Sequence, residues 1–148
     1  MTQKIALSLA ICAISLPVAG QKISASDVPP TVITSFNKNF PGITPQWEYE
    51  DGKFDGEFHE NGHKVEAIFD RRGNMSVGID LSATPAAMKN YLDKNYKNSR
   101  IRKLTKMATI TAEVTYAVRA GNKELLFDAN GKFVKSAPAG SIIPVEKD

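Results

Sequence analysis

Cysteine is almost missing: the 148-residue chain has one, Cys12, and it lies inside an apolar N-terminal run. Removal of that run on export leaves no thiol. Disulfides, thiolate metal ligation and thiol catalysis are then excluded together. Long hydrophobic stretches are also short of what a membrane requires. The longest, Ile5 to Ala19, has fifteen residues, fewer than the roughly 20 of a spanning helix. Histidine occurs twice, both times within one short segment, and no nucleophile-elbow motif is present, so a hydrolase triad has no support. The basic segment Arg100 to Lys106 has no interleaved aromatics, which argues against nucleic acid as a partner.

What remains is an ordinary globular composition, 42% hydrophobic and 24% charged, of a size suited to one domain. Lys4, the apolar run and the small residues Val18-Ala19-Gly20 read as a secretory signal peptide over residues 1–20, cut near Gly20 or alternatively near Ala25. A lipoprotein reading at Leu9-Ala10-Ile11-Cys12 is disfavoured because Ile11 is bulky and the apolar run continues past Cys12. An exported chain without disulfides points to the bacterial periplasm or medium.

The chain contains an internal echo. Phe36-Asn37-Lys38-Asn39-Phe40 is matched by Leu92-Asp93-Lys94-Asn95-Tyr96, and Ala67-Ile68-Phe69-Asp70-Arg71-Arg72-Gly73 by Leu125-Leu126-Phe127-Asp128-Ala129-Asn130-Gly131. Two diverged copies, residues 27–80 and 81–136, are expected. Each opens as a helix. Asp27 or Ser26 is expected to cap the first, whose stripe is Val32, Ile33, Phe36 and Phe40, ended by Pro41-Gly42. Thr84 is expected to cap the second, with stripe Met88, Tyr91, Leu92 and Tyr96. The period then changes to two, with turns at Asp51-Gly52, Asn61-Gly62 and Asp70–Gly73, so strands are predicted over 47–50, 54–58, 63–70 and 74–79. In the second copy they are predicted over 100–106, 109–119, 123–128 and 132–136. From Ala137 to Asp148 the chain reads as an irregular tail. The expected fold is α+β, two tandem repeats of a helix plus a four-stranded antiparallel meander, with the helices on one face of the sheet.

The leader, the doubled helix and meander, and especially Ala67 to Asn74 and Leu125 to Lys132, resemble the PepSY-like family of small exported Bacteroidetes proteins. That family is also described as beta-lactamase-inhibitor-like after its fold. The resemblance covers about residues 27–136 and implies a fold, an envelope location and, by analogy, an inhibitor role. No inhibitory-loop motif carries across.

His59-Glu60-Asn61-Gly62-His63 matches the zinc-protease pattern, but that pattern needs a helix to bring both imidazoles to one metal. Asn61-Gly62 signals a two-residue hairpin turn, which pairs Glu60 with His63 and sends the two histidines to opposite sheet faces. No metal or cofactor is expected. The carboxylates Glu48, Glu50, Asp51, Asp55, Glu57 and Glu60 read as a solvated strand face.

Charge divides sharply. Residues 27–80 have ten acidic and five basic residues, net −5; residues 81–136 have four and eleven, net +7. If Phe69 and Phe127 face the helices, Ile68 and Leu126 face the open side of the sheet, with Leu104 joining them between Arg102 and Lys106. An apolar centre with a basic rim of Arg100, Arg102 and Lys106 is the expected partner-binding surface. The reading that follows is an exported, non-catalytic binding module acting sterically on an unidentified envelope or secreted protein, such as a hydrolase it inhibits. The alternatives are a metal-dependent hydrolase using the His59 and His63 hairpin, or a carrier or sensor of small ligands between sheet and helices.

Overall fold

The computed structural model describes residues 20–142; the leader expected over residues 1–20 lies outside them except for Gly20. Among the described residues, nine strands run antiparallel in sequence order through one continuous sheet. They are β1 (Gln21–Ile23), β2 (Gln46–Glu50), β3 (Lys53–Glu60), β4 (His63–Phe69), β5 (Met75–Gly78), β6 (Ile101–Ala108), β7 (Val114–Ala120), β8 (Lys123–Asp128) and β9 (Phe133–Pro138). Two helices, α1 (Pro30–Asn39) and α2 (Ala86–Asn95), pack on the same face. The sheet is continuous because β5 pairs with β6 from Met75↔Ala108 to Gly78↔Thr105.

Each helix closes its own core. From α1, Val32 and Phe36 are buried, and the Phe36 ring meets Trp47 at 5.3 Å, Phe58 at 5.6 Å and Phe69 at 6.1 Å. From α2, Met88 and Leu92 are buried beside Val118, Leu125 and Phe127, while Tyr91 stacks on Phe133 at 4.8 Å. Aromatic contacts of this kind add to the burial of large apolar areas.

Neither helix begins where its capping residue was expected. Asp27 ends a short 3-10 turn, Ala25–Asp27, capped by Ser24. The α-helices start at Pro30 and Ala86, with Pro29 and Pro85 at the N-cap and no side-chain cap. A residue preceding proline is barred from the helical region, so Val28 (ψ 133°) and Thr84 (ψ 156°) stay extended. The Thr84 hydroxyl instead donates to the Leu81 carbonyl at 2.7 Å.

Other boundaries also differ from expectation. Strand β1 was not anticipated; three residues are too few to show a period. Strand β7 starts at Val114, because Thr109–Glu113 form a turn in which Thr109 Oγ1 accepts from the Glu113 N–H at 3.0 Å and Ala112 takes φ 68°. Threonine and isoleucine there suggest strand by propensity, but the local side-chain hydrogen bond wins. Strand β9 runs through Ala137 to Pro138, into the segment expected to be irregular.

Two matching turns brace the helices. Asp70 Oδ1 accepts from Arg72 N and Asn74 N at 2.9 and 3.0 Å, and Asp128 Oδ1 accepts from Asn130 N and Lys132 N at 2.9 Å each. Both turns close on a glycine of positive φ, Gly73 at 85° and Gly131 at 81°. A Cβ on Gly73 would lie 2.7 Å from the Thr31 carbonyl oxygen, and one on Gly131 would lie 2.8 Å from the Met88 nitrogen. Each turn thus presses on the first turns of its helix. Gly52, also at positive φ but with open space around it, isolates the conformational effect. Gly52→Ala is expected to cost about 1 kcal/mol, whereas Gly131→Ala, which must also displace helix backbone, should cost about 2 to 4 kcal/mol. Urea unfolding of the two variants measures the difference.

Candidate functional site

The face opposite the helices is the candidate surface, and strand register decides which side chains occupy it. One row across the sheet runs Asp55, Ile68, Ser76, Met107, Thr115 and Asp128. A neighbouring row on the same face runs Gly78, Thr105, Ala117, Leu126 and Lys135. Ile68, Met107 and Leu126 are all half-buried. They share this face because paired residues in an antiparallel ladder project to the same side.

Leu104 and Lys106 do not join them. The ladder between β6 and β7 shifts between Arg102 and Thr105, and Lys103 takes φ 47°. One extra residue in a strand reverses the side of everything beyond it. Arg102 therefore stays on the open face opposite Arg119, whereas Leu104 packs against the second core with Tyr91 and Tyr96. Lys106 pairs with Val77 and Tyr116 on the helix side. Arg100 precedes β6 and is exposed, its carbonyl accepting from the Gly121 N–H at 3.1 Å.

The open face is acidic toward β2–β4. Glu57 and Glu66 pair across the ladder, and Lys64 Nζ lies 2.8 and 2.9 Å from their carboxylates. Those two hydrogen bonds hold the Lys64 ammonium above its ordinary pKa. Asp55 sits between Glu48 and Ile68, with one carboxylate oxygen buried and without a hydrogen-bond partner. Burial, then repulsion from Glu66, Glu50 and Glu48, raises its pKa from 3.8 to about 6, against the opposing charge of Lys53.

Toward β7–β9 the same face is organised by Glu124, which the sequence reading passed over. It is fully buried and opposite Arg119, whose Nη2 donates to it at 2.6 Å. Its carboxylate also accepts from the backbone N–H groups of Gly140 at 2.9 Å and Ile142 at 2.6 Å. The segment after β9 is thereby folded back over the sheet. Alternation places Glu124 on the open face, but nothing in the sequence announces that distant backbone amides cover it.

The hairpin at Asn61-Gly62 has φ 51° and 80° at its two central residues, and its register pairs Glu60 with His63 and His59 with Lys64. His59 therefore shares the open face with Lys64, while His63 lies on the other face. Among the described residues there is no group of three or more His, Cys, Asp or Glu able to hold a metal ion, and no helix long and apolar enough to cross a membrane.

Because Asp55 binds its proton more tightly when folded, its protonation supports folding at low pH. That support is lost as pH rises from 3.8 through about 6. Asp55→Asn should stabilise the protein at pH 8 by about 1 to 2 kcal/mol, after allowing for solvent screening, and the gain should nearly vanish at pH 4. Urea denaturation at the two pH values tests this; an equal effect at both would contradict it.

No protein-family model and no curated protein matches the chain. Solved structures do. A DUF2874 family protein from Bacteroides ovatus superposes with a TM-score of 0.57 at 19% identity, covering 80% of this chain and 93% of that one. A BLIP-like protein from Bacteroides fragilis gives 0.55 at 12% identity, covering 79% and 90%. A candidate periplasmic protein from Bacteroides eggerthii gives 0.53 at 16% identity, covering 75% and 88%. The nine-stranded antiparallel sheet with two helices on one face is thus a BLIP-like α+β fold, shared with small Bacteroides proteins.

Proposed function

We propose that the protein is an exported, non-catalytic binding module that docks another envelope or secreted protein on its open sheet face. The observation carrying this reading is the apolar centre Ile68, Met107 and Leu126 on the face the helices leave uncovered. Acidic side chains from β3 and β4 flank it on one side, and Arg102, Arg119 and Lys135 on the other. An apolar centre within a charged rim is the usual anatomy of a protein-binding patch. The mechanism is steric: a partner seated on the sheet has its own working surface covered, and a hydrolase so covered is inhibited. The BLIP-like fold of the Bacteroides fragilis protein supports the reading by analogy of architecture.

The proposal includes export, supported by the leader-like run over residues 1–20 and by the periplasmic assignment of the Bacteroides eggerthii neighbour. It also includes descent of the two helix-and-meander halves, residues 27–80 and 81–136, from one duplicated PepSY-like unit, supported by the matching Asp70 and Asp128 turns. Strand β1 favours cleavage near Gly20 over Ala25, because Gln21–Ile23 pair with β2, Ile23 opposite Trp47. The intact mass of the exported protein should correspond to a start near residue 21; a start after Ala25 would contradict the placement.

The docking face is tested by Ile68→Asp with Leu126→Asp, compared with wild type for capture of partners from native periplasm. Circular dichroism checks folding. Loss of a hot-spot pair at the centre of an interface should weaken capture at least tenfold, and the captured enzyme should lose its inhibition in parallel. A folded variant that retains every partner would overturn the proposal.

A further inference from the structure

Over β4–β7, between the C-terminal end of α1 and the turn leading into α2, the helix side of the sheet holds a cleft of about 690 Å³. This is within the range of small-ligand sites, roughly 300–1,000 Å³. Phe40 forms one wall, and Met75, Val77, Leu104 and Tyr116 line the sheet floor. Into this floor comes Lys106, placed there by the bulge at Lys103. Register sets it between Val77 on β5 and Tyr116 on β7, and it is the sole charged residue that β5–β7 direct to that side.

The other charged residues around the cleft are arranged differently. Lys64 is held on the opposite face of the sheet by Glu57 and Glu66. Glu60, His63 and Asp80 are exposed at the rim. Lys106 is half-buried, and among the described residues it forms no ion pair. Its aliphatic stem runs between Val77 and Tyr116 while the ammonium stays accessible, so an anion entering the cleft can reach it. We infer that this cleft binds a small amphipathic carboxylate, its head on the Lys106 ammonium and the Tyr116 hydroxyl and its aliphatic body along Val77, Leu104 and Phe40. A charge-assisted hydrogen bond to the head and burial of the body supply separate, recognisable contributions. The site lies on the opposite face from the proposed protein-docking surface, so either can fail without the other.

Dodecanoate, with dodecanol as the headless control, tests the inference by calorimetric titration of wild type, Lys106→Met and Lys97→Met. Methionine keeps an apolar stem in the floor and removes the charge, while Lys97 is exposed beyond α2. Dodecanoate should bind wild type and Lys97→Met alike, and Lys106→Met at least tenfold more weakly. Dodecanol should bind all three weakly and equally. Amide shifts on titration should centre on Val77, Leu104 and Tyr116. No binding to wild type, equal binding to Lys106→Met, or shifts centred on Ile68 and Leu126 would each overturn the inference.

Discussion

The short ladder between β5 and β6, four residue pairs from Met75↔Ala108 to Gly78↔Thr105, is the contact on which both faces of the molecule depend. On the helix side it joins two separately closed cores, one built on Phe36 and Phe69 and one on Met88 and Phe127. The first core reaches across this ladder to Ala108 and Val114, and beside it, between Phe40 and Leu104, the helix side of β5 and β6 holds the cleft. On the other side the same ladder aligns Ile68, Ser76, Met107 and Thr115 in one row. Parted there, the five strands β1–β5 and the four strands β6–β9 would hold neither Ile68 beside Met107 and Leu126 nor the floor of the cleft together.

The helices are fixed to this sheet more by close backbone approach than by caps. Prolines at the helix entrances fix φ and bar the preceding residue from helical geometry, so the chain enters each helix from an extended segment. The Asp70 and Asp128 turns then press glycines on the helix starts. Rigid helix placement explains why one strand irregularity is enough to sort charge between faces. Lys103 adopts a left-handed conformation, and from that point Leu104 and Lys106 belong to the helix side while Arg102 stays outside.

Much of this was legible in the sequence where chemistry and period agree. Asn61-Gly62 dictates a two-residue turn with positive φ at both positions, and that turn fixes the register separating His59 from His63. Alternation in the sequence around Phe69 and Phe127 places Ile68 and Leu126 on the far face, as the ladders do. Other features left no local trace. A bulge at lysine, unlike one at glycine, has no compositional signature. Strand β1 is too short to alternate, and Thr109–Glu113 carries strand-forming residues in a turn held by a threonine hydroxyl. Glu124 reads as one more surface carboxylate until the amides of Gly140 and Ile142 are found on it. Long-range contacts of this sort lie beyond any window of local sequence.

The proposed seat of a protein partner is the open face as sorted by the β6 bulge. Hydroxyl-radical footprinting in the presence and absence of periplasmic extract addresses it directly, since Met107 lies on that face while Met75 and Met88 are buried at 3% and 0% exposure and serve as internal references. Protection of Met107 and Ile68 on adding extract, with exposed Leu81 and Val134 unchanged, is the predicted result. Unaltered oxidation of Met107 alongside protection at Leu81 or Val134 would place the partner elsewhere and contradict the account.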